Sequence, residues 1–254
     1  MSSITVTNNF LADIAWLDSS ACNFKINNGI DVWKASSDLN PTLVYSFKSM
    51  LTANEVERAA RFYQQNDRDR FITSRAALRV ILGKYLNMAP EAIEFEPGVN
   101  KKPFIKNGNQ NNLQYNLSHS GDAILLAVAK SPIGADVEFI NHDFGYRDVL
   151  ADNFSPGEVN YITEADSIHR FFKLWTRKEA ITKATAQGLD CDLRLLPGLD
   201  GTAAVADGII ASTENWIINS FNLNTQYIAS VAGNPLINKI SFFNLPIVNF
   251  AQPL

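Results

Sequence analysis

The chain has 254 residues, 46% of them hydrophobic and 19% charged, which gives ample material for a core and is unlike a disordered segment. A net charge of −4 offers no overall electrostatic reason to bind nucleic acid. Two cysteines, Cys22 and Cys191, supply neither a disulfide framework nor a zinc site, and no stretch nears the roughly 20 apolar residues that span a membrane. MSSITVTNNFLADIAWLDSS has no positive segment followed by an apolar run, so no secretory signal is expected. The expectation is a cytoplasmic, soluble protein.

Weak alternation in SITVTNNF and IDVWKASS predicts strands near the start. LTANEVERAARFYQQ then carries Thr52 and, three residues on, Glu55, a capping box that opens a helix. A second helix is predicted from about Asp67 to Leu86, with Phe71, Leu78, Leu82 and Tyr85 on one stripe. Residues 107–112 read as a loop. QYNLSHS and AILLAVA read as strands joined at Gly121-Asp122, and GADVEF as a third short strand.

The second half repeats this order. FSPGEVNYI brings another capping box, Ser155 and Glu158, with Pro156 at the first helical position. His169-Arg170-Phe171-Phe172 opens a long helix, as Asp69-Arg70-Phe71 does earlier, and NWIINSFNL and QYIASVAG supply another strand pair. Ordered recurrence points to two related α+β halves, 1–133 and 134–254, with a site in the cleft between them.

Asp136 and Glu138, two apart on a strand, share one face. Convergent carboxylates repel unless a cation, protons or solvent relieve them, and an all-oxygen pair suits a hard ion such as Mg²⁺. Two surface acids on an edge strand would look the same. On the long helix, at about 100° per residue, Phe172, Trp175, Glu179 and Lys183 fall within an arc of roughly 80°. Glu179 and Lys183 alone are an ordinary i, i+4 pair of about 0.2–0.5 kcal/mol. Aromatics on the same face point to partial burial, where the Glu would serve as metal ligand or base and the Lys would hold a phosphate. Cations collect in the first half: Arg58, Arg61, Arg68, Arg75, Arg79, Lys101 and Lys102, with His119 between Ser118 and Ser120. Together they suggest a polyphosphate held by cations at one end and by a metal at the other. P-loop, nucleophile-elbow and HExxH motifs are absent.

Gly134-Ala135-Asp136-Val137-Glu138 and Trp175-Thr176-Arg177-Lys178-Glu179-Ala180 with Lys183 resemble the two signature motifs of the Sfp-type 4′-phosphopantetheinyl transferases. Asn116-Leu117-Ser118-His119-Ser120, Lys102-Pro103 and the Arg70-Phe71…Arg75…Leu78-Arg79 helix extend the resemblance, in order, over about residues 50 to 190. It implies a pseudo-twofold pair of α+β halves with coenzyme A in the cleft. It also implies Mg²⁺-dependent transfer of phosphopantetheine to a serine of an apo acyl or peptidyl carrier protein, releasing adenosine 3′,5′-bisphosphate, by an enzyme of the holo-[acyl-carrier-protein] synthase type. Asp136, Glu138 and Glu179 would hold the metal, Glu179 would activate the serine, and Lys183 would stabilise the leaving phosphate. Arg75, Lys102 and His119, with Ser118 and Arg58, would bind the nucleotide end. A monomer is expected, because the two halves supply both sides of the cleft.

Ala135, Phe139 and Ala186 depart from the family pattern, where a larger aliphatic, a Lys and a Gly are usual. Two rivals stand beside this reading. One is an idle homologue that binds coenzyme A or carrier without transfer. The other is a Mg²⁺-dependent nucleotide pyrophosphatase.

Overall fold

Two copies of one folding unit account for most of the chain, as described by a computed structural model for residues 3–246 apart from 109, 111, 166, 189, 190 and 238. Chain order begins with β1 (Ser3–Phe10), β2 (Trp16–Asp18) and β3 (Ile30–Ser36), then α1 (Pro41–Ser46), α2 (Ala53–Ala60) and α3 (Gln65–Leu86). A small hairpin, β4 (Phe95–Pro97) and β5 (Pro103–Ile105), precedes β6 (Gln114–Ser120), β7 (Ala123–Ala129) and β8 (Gly134–Phe139). The second unit continues with α4 (Leu150–Asn153), α5 (Pro156–Glu164) and α6 (Ser167–Ala184). Strands β9 (Gly201–Ala206), β10 (Trp216–Asn222), β11 (Tyr227–Gly233) and β12 (Ile240–Asn244) follow. Of the expected 107–112 loop, residues 109 and 111 lie outside the described residues, and the rest is neither helix nor strand.

The repeat is strand, capped helix, long helix, hairpin. In the first unit β3, β7 and β6 lie side by side in that order; in the second, β8, β11 and β10 do. All four pairings are antiparallel. Both capping boxes form, Thr52 with Glu55 and Ser155 with Glu158. Each capping glutamate then reaches a cation twenty residues on in the long helix, Glu55 to Arg75 and Glu158 to Lys178.

Each sheet takes one strand from the other half of the chain. Strand β1 sits in the second half's sheet, parallel to β10, and β12 sits in the first half's sheet, parallel to β3. The two five-stranded sheets run β2-β12-β3-β7-β6 and β8-β11-β10-β1-β9.

Three apolar clusters stack around the two sheets. Ile124, Leu126 and Val128 of β7 pack with Phe71, Leu78 and Leu82 of α3. Leu125, Ala127 and Ala129 face the second sheet, meeting Ala135, Val137, Ala229 and Val231. Alternate residues of β7 thus serve two apolar layers, which is why AILLAVA is apolar throughout. On the outer face of the second sheet, Ala180, Ile181 and Ala184 of α6 pack with Val6, Ile218 and Ala232. At Gly134 the helix comes so close that an added Cβ would lie 2.0 Å from the Ala180 carbonyl oxygen. Only glycine permits that backbone contact, and it sets α6 over β8.

Candidate active site

Strand β8 and helix α6 bring four functional side chains together. Asp136 and Glu138 both face α6, since Ala135 and Val137 take the opposite, inter-sheet face. Asp136 is buried, and its Oδ1 accepts from Lys183 Nζ at 2.6 Å and from Ser118 Oγ at 2.9 Å. Its Oδ2 is buried without a hydrogen-bond partner. Glu138 Oε2 accepts from Ser120 Oγ at 2.7 Å. Lys183 therefore engages the strand's carboxylate across the cleft, rather than closing the surface pair with Glu179 that helical spacing allowed.

The electrostatics of this corner are those of a negative site short of positive charge. Burial, then the Asp136 charge, pushes Glu138 up to about 7. Burial also raises Asp136, against the pull of Lys183, and raises Glu179, with the Asp136 charge adding to the rise. Among the described residues, no three acidic, cysteine or histidine side chains converge closely enough to form a finished cage. The donors present are all carboxylate oxygens, one of them buried and unpartnered. Such a set fits Mg²⁺, which binds one or two carboxylates and completes its shell with water and substrate phosphates.

Folding forces these carboxyls to keep protons that the unfolded chain has released. Between the ordinary glutamate value of 4.5 and about 7, the folded state binds more protons, so stability falls as pH rises through that window. With divalent ions chelated, the urea midpoint is expected to be lower at pH 7.5 than at pH 5. Glu138→Gln should flatten the slope, and an unchanged slope would refute the assignment.

The first half supplies the opposite wall. On β6, alternation separates neighbours: Asn116, Ser118 and Ser120 face β8, while Leu117 joins the α3 core and His119 faces the α3 side. Partial desolvation, then the charges of Arg70 and Lys183, hold the His119 imidazole below its ordinary value. An arriving anion would favour its charged form. Arg58 is exposed on α2, its guanidinium 5.2 Å from the Phe71 ring centre. Lys102 Nζ donates to the carbonyls of Ile133 at 2.9 Å and Ala184 at 3.0 Å, joining the two halves, and burial pulls it down to about 8. Next to Glu138, an apolar groove of about 400 Å³ is lined by Phe139, Phe144, Phe172 and Trp175.

Residues 33–131 match the family described as 4′-phosphopantetheinyl transferase, N-terminal, and residues 132–232 match the 4′-phosphopantetheinyl transferase superfamily. The chain is 30% identical over 179 residues to 4′-phosphopantetheinyl transferase HetI of Nostoc sp., covering 68% of this chain and 76% of that one. This chain belongs to the 4′-phosphopantetheinyl transferase superfamily. A putative 4′-phosphopantetheinyl transferase of Synechocystis sp. is 29% identical over 162 residues, 62% of this chain and 65% of its own length. A 4′-phosphopantetheinyl transferase of Bacillus subtilis is 30% identical over 146 residues, 56% of this chain and 63% of its own. The matches thus span about two thirds of the length of these relatives. Among the described residues, no helix is long and apolar enough to cross a membrane.

Within this phosphopantetheinyl transferase fold, Arg75 is engaged by a carboxylate of its own half. Its Nε donates to Glu55 Oε1 at 2.6 Å and its guanidinium lies 4.8 Å from the Phe95 ring centre. Arg79 is buried beside it, bonded to Glu55 and to the carbonyls of Pro90 and Ile93. Glu55 is thereby a structural anchor, and both arginines complete it. The first-half cation whose charge acts on His119 is Arg70, which the resemblance contained but the nucleotide set did not. A helical turn and a half separates it from Arg75, enough to point them apart.

Ala186 ends α6 in the left-handed region, at φ +54°. Gln187 N–H bonds to the Thr182 carbonyl and Ala186 N–H to that of Lys183, the Schellman pattern that normally takes glycine at this position. Asn100 Nδ2, from the first half, donates to the carbonyls of Ala186 and Gln187. Ala186→Gly is expected to stabilise the fold by about 1 kcal/mol. At this size that is a rise of roughly 2–4 °C in Tm. A fall would show that the Ala186 methyl has a packing role instead.

Proposed function

We propose that this chain is a 4′-phosphopantetheinyl transferase of the holo-[acyl-carrier-protein] synthase type, moving phosphopantetheine from coenzyme A to a serine of an apo acyl or peptidyl carrier protein. One observation carries the reading: Lys183 of α6 pairs with Asp136 of β8, Glu138 and Glu179 lie within electrostatic reach, and a buried Asp136 oxygen is left unpartnered. Asp136, Glu138 and Glu179 would hold Mg²⁺, which supplies charge neutralisation for the pyrophosphate and its transition state. Arg70 and His119, with Arg58 nearby, would bind the nucleotide end. Lys102 uses two of its three donors between the halves and has one left for a phosphate.

Glu179, raised by burial, is suited to accept the proton of the attacking serine. The serine Oγ bonds to the phosphorus bearing pantetheine, and that phosphorus loses its bond to the bridging oxygen. Lys183, already at the carboxylate wall, would stabilise the charge left on adenosine 3′,5′-bisphosphate. The aromatic groove beside Glu138 offers an apolar surface for the carrier. Both walls come from one chain, which supports action as a monomer.

The test is to incubate the protein with Mg²⁺, coenzyme A and a panel of apo carrier proteins, then weigh the carriers. Gain of one phosphopantetheine mass, abolished by chelation, is expected. Cleavage of coenzyme A without any carrier would favour the pyrophosphatase reading. Binding without gain of mass would favour an idle homologue.

A further inference from the structure

Strand β8 is an edge strand, and an edge leaves alternate backbone groups without a ladder partner. Its inner groups pair with β11, and the outward groups include the Ile133 carbonyl and the N–H groups of Ala135, Val137 and Phe139. Each of the four is met by a first-half side chain. Lys102 takes the Ile133 carbonyl, and Asn116 Oδ1 accepts from Ala135 N–H at 2.8 Å. Ser118 Oγ accepts from Val137 N–H at 3.4 Å, and Ser120 Oγ from Phe139 N–H at 3.1 Å.

Both serines have a second task. Ser118 donates its proton to Asp136 Oδ1 and Ser120 donates its own to Glu138 Oε2, at 2.9 and 2.7 Å. A hydroxyl has one proton and two lone pairs, so accepting from the backbone and donating to a carboxylate are compatible. Each carboxylate is thus tied, through one oxygen atom, to the amide that follows it on its own strand. The Asn-x-Ser-x-Ser spacing follows from strand period two, since only alternate residues of β6 face β8.

We propose that Ser118 and Ser120 are positioning residues. With Asn116 they form a side-chain ladder that fixes β8 against the first half and aims Asp136 and Glu138 toward a divalent cation. The aiming part rests on the function proposed above, whereas the ladder stands apart from it.

The test uses the full chain with Ser120→Ala and Ser118→Ala, each beside its Thr counterpart, which keeps the hydroxyl. Amide hydrogen exchange is read by NMR and Mn²⁺ binding by electron paramagnetic resonance, with and without coenzyme A. Ser120→Ala should speed exchange at Phe139 but not at Val137, Ser118→Ala should do the reverse, and Thr should restore each. Each Ala variant should also bind Mn²⁺ about tenfold more weakly or worse, the usual range for a lost outer-shell partner. Unchanged exchange at both amides would overturn the ladder. Equal Mn²⁺ binding by wild type and variants would overturn the aiming role. Wild-type protein that binds no Mn²⁺ even with coenzyme A would overturn the metal reading and the aiming role together, with Phe139 exchange still deciding the ladder.

Discussion

Glu179→Gln is expected to lower turnover with coenzyme A and carrier by about 10³-fold, within the range for loss of a general base. The substitution keeps the side chain's size and removes its charge. That charge is the one feature Glu179 contributes both to a cation and to a serine proton. It lies on the half-buried face of α6, one turn before Lys183, and nothing in the hydrophobic clusters depends on it. The thermal midpoint should therefore hold or rise, because a carboxylate raised by burial is relieved when made neutral. Single-turnover rates on a carrier, with circular dichroism melting, separate the two effects. Near-normal turnover would remove Glu179 from the chemistry.

The next residue back in sequence has the opposite character. Glu158→Ala is expected to destabilise the fold by about 3–5 kcal/mol, the cost of leaving a buried partner charge uncompensated. Lys178 and Glu158 side chains are 0% and 3% exposed and meet at 3.0 Å. Lys178 Nζ also donates to the carbonyls of Leu193 and Leu196, while Glu158 Oε1 accepts from Gly198 N–H. One pair thus closes the α5 capping box, the α5–α6 contact and the chain beyond α6. Tm should fall by roughly 10 °C or more. Activity per folded molecule at low temperature should change little, since no cleft group is removed. The double change Glu158→Leu with Lys178→Met should recover most of the loss. If Glu158→Ala melts like wild type, the pair is not a keystone of this half.

These two substitutions show what the sequence made legible and what it did not. Trp-Thr-Arg-Lys-Glu-Ala reads as one motif, yet of its three charged residues only Glu179 is left half-buried. Arg177 and Lys178 are buried structural cations, and periodicity cannot separate a buried cation with a partner from a catalytic one. Capping boxes, the hairpin at Gly121 and the strand–helix–helix–hairpin repeat were readable because each is local. The β8 carboxylates were readable as sharing a face, by strand period. The pairing of Arg75 with Glu55 was not readable, because it is fixed by tertiary packing of α2 on α3. Asn116, Ser118 and Ser120 hid their task for a similar reason: it appears only once two sheet edges meet. The strands β9 and β12 carry too weak an alternation to announce themselves.

The exchange of terminal strands has a consequence for how this chain comes off the ribosome. Val6 of β1 lies opposite Trp216, and Arg177 holds β1 through the Asn9 carbonyl. During synthesis the first strand therefore waits, unpaired with β10, until β10 itself has been made. The first half's sheet likewise waits for β12. Such distant pairings fold slowly. A nascent chain stalled after β7 would expose two unfinished sheet edges, the state in which binding by a chaperone matters most.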